Sequence, residues 1–149
     1  MIYLILTTVI FLTDFFVKKY IDKKYARKVT HPRCGGKIIL EKYYNNGAAL
    51  GLLHRSPALL GAIQTVIIVI AGTIFYLFMR APGKQLSKTG LALLMGGGAN
   101  NLYDRYTKGH VVDYFHLNFG PKRLRRIIFN LSDFAIFIGA LLTALGAEE

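Results

Sequence analysis

Four aspartates, Asp14, Asp104, Asp113 and Asp133, each lie in or beside an apolar run, where a charge is unfavourable. Two of them bracket the stretch DRYTKGHVVD, residues 104–113. Two carboxylates brought together in a partly apolar site do not readily both ionise, so one keeps a proton while the other loses it. Such a pair can hydrolyse an amide: the ionised member takes a proton from water, and the neutral one donates a hydrogen bond to the scissile carbonyl. That chemistry needs neither a metal nor a covalent intermediate. The chain offers no HExxH, CxxC, GxSxG or Walker pattern for a competing chemistry. His110, Asp113 and His116 are spaced H-x2-D-x2-H, but on a helix the histidines lie about 240° apart. On a strand Asp113 points away from both, so no metal site is expected.

Each aspartate also has a purely structural explanation to set beside the catalytic one. Asp14 has Lys18 at i+4, and Asp104 adjoins Arg105. Asp133 has Asn130 one turn before it and no cation nearby in sequence. Asp113 follows two valines and precedes Tyr-Phe, a setting that raises a carboxyl pKa. These residues alone leave open whether Asp104 or Asp113 partners Asp133.

The elements that must position them are membrane helices. The chain has 149 residues, a single domain by length, with 53% hydrophobic residues and a mean hydropathy of +0.37. A bilayer core about 30 Å thick needs roughly 20 helical residues. Apolar segments at 1–17, 58–79, 89–105 and 127–147 predict an integral membrane α-helical protein with four transmembrane helices. The first has no basic residue ahead of it and no small-residue cleavage site after it, so it reads as a permanent helix. Between the first two helices, the extramembrane segment 18–57 contains GGKIILEKYYNNG, a strand-and-turn signal that predicts a small β-rich region. His31 and His54 read as surface loop residues. Four spans place both termini on one side and segments 18–57 and 104–126 together on the other. All four aspartates then converge on that second face. GGGANN, 96–101, suits close helix packing or room for a substrate backbone.

A net charge of +11 arises from ten Lys/Arg in 18–55, three in 80–88 and six in 105–126. Basic residues flanking membrane helices fit anionic lipid head groups, and no aromatic-interleaved motif accompanies them, so nucleic acid is excluded as a partner. Counted by face, sixteen lie with the aspartates and three opposite, a bias that puts the aspartates in the cytoplasm. The single cysteine, Cys34, excludes an internal disulfide.

Four blocks together resemble the lipoprotein signal peptidase (signal peptidase II) family. TDFFVKK, with Asp14 and Lys18, is similar to its D-x3-K, and Asn45-Asn46-Gly47-Ala48-Ala49 to its N-x-G-A-A. GGGANNLYDRYTKGHVVDYF and FNLSD, 129–133, resemble its remaining two blocks. The resemblance implies an aspartyl endopeptidase, without cofactor, that cuts diacylglyceryl-modified prolipoproteins just before the lipidated cysteine. It implies Asp113 and Asp133 as the catalytic pair, with Asp14, Lys18, Asn45, Gly47, Asn101, Asp104, Arg105 and Asn130 supporting the site or contacting substrate. It also implies a multi-pass protein of the bacterial inner membrane with cytoplasmic termini and the aspartates at the outer face, against the charge count. Asn100, Leu50, Tyr114 and Ser132 depart from the family pattern, standing where Gly, Phe, Phe and Ala are usual. Two rival readings remain: a small transporter or proton relay, whose carboxylates would be spread through the bilayer depth, and an inactive homologue that binds lipoproteins without cutting them.

Overall fold

A computed structural model describes residues 1–47 and 56–148. Ala48, Ala49 and Leu50, singled out in the motifs above, and His54 lie outside the described residues. Four helices, α1 (Ile2–Lys24), α2 (Pro57–Arg80), α3 (Gln85–Lys108) and α4 (Leu131–Leu145), carry a three-stranded sheet at one end. Of the described helices, α2 is the one long and apolar enough to cross a membrane on those criteria alone, and α4 is a shorter apolar helix.

The helix ends follow local chemistry. Pro57 opens α2, where a missing N–H loses nothing, and Gly109 closes α3 in a left-handed conformation (φ 76°) that favours glycine. Asn130 caps α4 through a reciprocal capping box with Asp133. Helix α3 extends past the expected 89–105 at both ends, to Gln85–Lys108, and two further boundaries differ from the sequence expectation. Helix α1 runs on to Lys24 rather than ending near residue 17, because Lys18 and Ile21 face inward and are buried. Helix α4 starts at Leu131 rather than 127, because Phe129 pairs its backbone with Phe115.

Helix α3 is central, and its three consecutive glycines face three neighbours. A Cβ on Gly96 would meet Thr7 O of α1 at 2.7 Å, and one on Gly97 would meet Ser132 O of α4 at 2.5 Å. On Gly98 it would strike the Ile68 side chain of α2. Close helix packing is therefore what GGGANN provides. Near the other end of α3, Tyr3 bonds Gln85 and Lys84 bonds the Ala147 carbonyl, so both termini and the α2–α3 turn share one end.

The sheet occupies the opposite end, with antiparallel order β1 (Thr30–Arg33), β2 (Ile38–Asn45) and β3 (Val111–Leu117). Its first two strands are the β-rich region expected between α1 and α2, turning through Cys34–Gly36, where all three residues have positive φ. His31 lies in β1, its ring against Tyr25, rather than in a loop. The third strand was not expected. VVDYF joins from the far side of α3, placing Asp113 opposite Tyr43 and Val111 opposite Asn45.

Burial is inverted relative to a water-soluble protein. Lys18, Asn100, Asn130, Asp14, Asp104 and Asp113 are among the largest fully buried side chains. Meanwhile Ile5 and Val9 of α1, Val69 and Leu77 of α2, and Phe137 and Leu141 of α4 are at least half exposed. Apolar surface outside and polar groups inside suit a lipid solvent.

Candidate active site

Strand β3 and the start of α4 deliver two carboxylates to one place. The backbone of Phe129 exchanges hydrogen bonds with Phe115 (2.7 and 3.1 Å), strapping the segment before α4 to the strand that carries Asp113. Asn130 therefore sits between both acids. Its Nδ2 donates to Asp113 Oδ1 at 2.7 Å, its backbone N–H donates to Asp133 Oδ2 at 3.0 Å, and its Oδ1 accepts from the Asp133 N–H at 2.9 Å. The remaining oxygens accept from other amides: Asp113 Oδ2 from Asn45 Nδ2 at 2.8 Å, and Asp133 Oδ1 from Asn101 Nδ2 at 2.9 Å. Asp133 also lies in the first turn of α4, where the helix dipole favours a negative charge.

The other two aspartates are neutralised by cations. Buried Lys18 reaches Asp14 at 3.2 Å and Asp104 at 3.1 Å, and its ammonium also donates to Asn100 (2.6 Å) and Asn101 (2.7 Å). Asp104 has Lys108 at 2.8 Å as a second partner. The adjacent Arg105 donates to the Gly47 carbonyl at 2.6 Å rather than pairing with Asp104. Asp113 and Asp133 have no ion pair among the described residues. Asp104 thus belongs to the ion-pair cluster, whereas Asp113 is joined to Asp133 through Asn130.

A cavity of about 750 Å³ opens on this pair. Asn45, Gly47, Asn101 and Arg105 line it with Asp113 and Asp133, and Ile136, Phe137 and Ala140 of α4 continue it toward the apolar end. Burial first, and then the charge of Asp133, raise the Asp113 pKa from 3.8 to about 7, outweighing the two amide donors. His110 and His116 take no part in this wall. The His110 ring lies tilted against Tyr44, with centroids 4.1 Å apart and planes 33° from parallel.

The Signal peptidase (SPase) II family model matches residues 6–147, which span the carboxylate pair and every supporting residue named above. The chain belongs to the signal peptidase II family. The lipoprotein signal peptidase of Lactiplantibacillus plantarum is 30% identical over 145 residues, 97% of this chain and 93% of that one. That of Streptococcus pneumoniae is 34% identical over 138 residues, 91% of this chain and 86% of the relative. A solved bacterial membrane enzyme superposes with a TM-score of 0.82 at 21% identity, covering 96% of this chain and 85% of that one, a likeness of fold.

In this signal peptidase II chain, three residues noted only as departures from the family pattern are wired into the site's support. Tyr114 donates its hydroxyl to Asp14 Oδ1 at 2.8 Å and accepts the Leu131 N–H at 2.9 Å. Ser132 donates to Asp14 Oδ2 from both its N–H (3.1 Å) and its Oγ (2.5 Å). The first two N–H groups of α4 are thus capped by side chains from β3 and α1, which fixes the helix turn that carries Asp133. Asn100 donates to the Phe11 carbonyl of α1 at 2.8 Å while accepting from Lys18. The only signal for them in sequence is a polar atom inside an apolar run.

Proposed function

We propose that this chain is an aspartic endopeptidase of the bacterial inner membrane, with Asp113 and Asp133 as its catalytic pair. It removes the signal peptide from diacylglyceryl-modified prolipoproteins by cutting before the lipid-bearing cysteine. The observation that carries the reading is the pairing itself: two carboxylates without ion pairs among the described residues, joined through Asn130, facing one cavity. With the Asp113 pKa raised to about 7, a large fraction of the pairs carries one proton at neutral pH.

The reaction follows from that proton. The ionised carboxylate takes a proton from a water in the cavity, and the water oxygen attacks the scissile carbonyl carbon. The neutral carboxyl hydrogen-bonds the carbonyl oxygen as negative charge develops there. Collapse of the tetrahedral intermediate breaks the C–N bond, and the cysteine nitrogen leaves with a proton from the pair. Each carboxylate is held by amide donors on both oxygens, so neither has to reorient during these steps.

On this reading all four helices span the bilayer, with the sheet and the pair at its outer face and the termini in the cytoplasm. The exposed apolar residues of α1, α2 and α4 face lipid, and the basic residues around the sheet lie against anionic head groups. A proton relay would spread its acids through the membrane depth, whereas these gather at the sheet end. Mass spectrometry of the product made from a synthetic diacylglyceryl prolipoprotein tests the bond assignment. The expected fragment begins at the lipidated cysteine; cleavage elsewhere, or an intact substrate that stays bound, contradicts it.

A further inference from the structure

Most polar groups around the cavity are already engaged with one another. Asn45 donates to Asp113 and accepts from the Gly47 N–H, and Asn101 donates to Asp133 and accepts from Lys18. Two side chains are different. Gln64 Oε1 of α2 and the Nε and Nη1 of Arg105 of α3 are buried without a hydrogen-bond partner among the described residues, and both residues line the cavity. Gln64 is also the single side-chain amide in the uncharged stretch 58–79. A buried acceptor left unpaired is destabilising, so it persists where a ligand completes it.

We infer that Gln64 is a substrate-binding residue, resting on the function proposed above: its Oε1 accepts a backbone N–H of the substrate's signal-peptide segment in the cavity, while Arg105 donates to a nearby backbone carbonyl. The chemistry selects the peptide over the lipid. Gln64 Oε1 requires a donor, and neither the acyl chains nor the ester groups of a diacylglyceryl moiety carry one. A peptide unit supplies both a donor and an acceptor, matching the acceptor on α2 and the donors on α3. Because the contact lies away from the carboxylate pair's own hydrogen bonds, it contributes to holding the substrate and not to the chemical step.

The test uses the full chain in detergent with Asp113→Asn as background, so that bound peptide stays uncut. Affinity for a diacylglyceryl prolipoprotein peptide is compared with and without Gln64→Leu, and again for peptides in which single backbone amides are replaced by esters. Gln64→Leu is expected to weaken binding about five- to tenfold, the size of one neutral hydrogen bond. One ester peptide should show the same loss when Gln64 is present and no further loss in the Gln64→Leu protein. Gln64→Met, closer in shape, serves the same comparison should the leucine variant not fold. Unchanged affinity in the variant, or ester losses identical in both backgrounds, overturns the inference and means that Oε1 meets only water. Failure of the underlying function is separately visible, because the Asp113→Asn protein would then cut the peptide or show no affinity for it in either background.

Discussion

At the scale of residues, one question organises the site: which buried aspartates are neutralised by a cation and which are not. Lys18 answers it for Asp14 and Asp104. An ammonium buried among two carboxylates and two amides satisfies groups that would otherwise be left charged and unpaired, and removing one member of such a cluster destabilises by about 3–5 kcal/mol. Asp113 and Asp133 have only neutral amides, so their mutual repulsion is relieved by a proton. This has a consequence for stability. The folded state holds the Asp113 proton up to about pH 7, whereas an unperturbed carboxyl loses it near 3.8. Between those values the folded chain binds more protons than the unfolded one, so stability falls as pH rises across the window. Asp113→Asn removes that dependence. Its thermal midpoint in detergent is expected to exceed the wild-type value at about pH 8 and to converge with it near pH 4. A wild-type midpoint that climbs through this range would contradict the assignment.

At the scale of elements, α3 is the spine, and its glycines set how near α4, with Asp133, comes. Gly97→Ala puts a methyl 2.5 Å from the Ser132 carbonyl, which is backbone and adjoins Asp133. Overpacking of this kind typically destabilises by about 1–3 kcal/mol, and here it displaces the turn that carries Asp133. Gly72→Ala instead meets the flexible Met95 methyl at 3.3 Å. Cleavage rates should drop for Gly97→Ala and stay near wild type for Gly72→Ala; equal rates would show that this approach does not position the site. The helices were largely legible in sequence, because long apolar runs report a lipid solvent. Their ends were less so. Lys18, Lys19, Lys23 and Lys24 read as a loop, yet α1 continues through them, since Ile21 packs on Val112 and Tyr114 while Lys18 turns inward. Strand β3 was missed because its partner β2 is remote in sequence. The valines of VVDYF were a β signal, but its residues through Tyr114 are buried without alternation.

At the scale of the whole molecule, the four acids converge because an up-down-up-down bundle brings every second connection to one end. Counting spans was enough to foresee that. It did not show that Asp104 joins the Lys18 cluster while Asn130 bridges Asp113 and Asp133, nor that Tyr114 and Ser132 are partners of Asp14. Orientation is the remaining global property, and the basic residues on the sheet side argue for the cytoplasm if read as topology signals. The proposed function places that side outside. Cys34, the single cysteine and exposed in the β1–β2 turn, supplies a direct check. A membrane-impermeant maleimide should label it in intact cells or spheroplasts. Labelling only after the membrane is permeabilised would reverse the orientation.

The central claim is that Asp113 and Asp133 cut the substrate together, and the most direct measurement is a cleavage rate. Wild type, Asp113→Asn, Asp133→Asn and Glu41→Gln would each be given the same diacylglyceryl prolipoprotein in detergent, with folding checked by thermal unfolding. Loss of a group acting in proton transfer typically lowers rates by about 10²–10⁴-fold, so both asparagine variants should fall by about 10²-fold or more while Glu41→Gln keeps the wild-type rate. A folded Asp113→Asn or Asp133→Asn protein that still cuts at the wild-type rate would contradict the account.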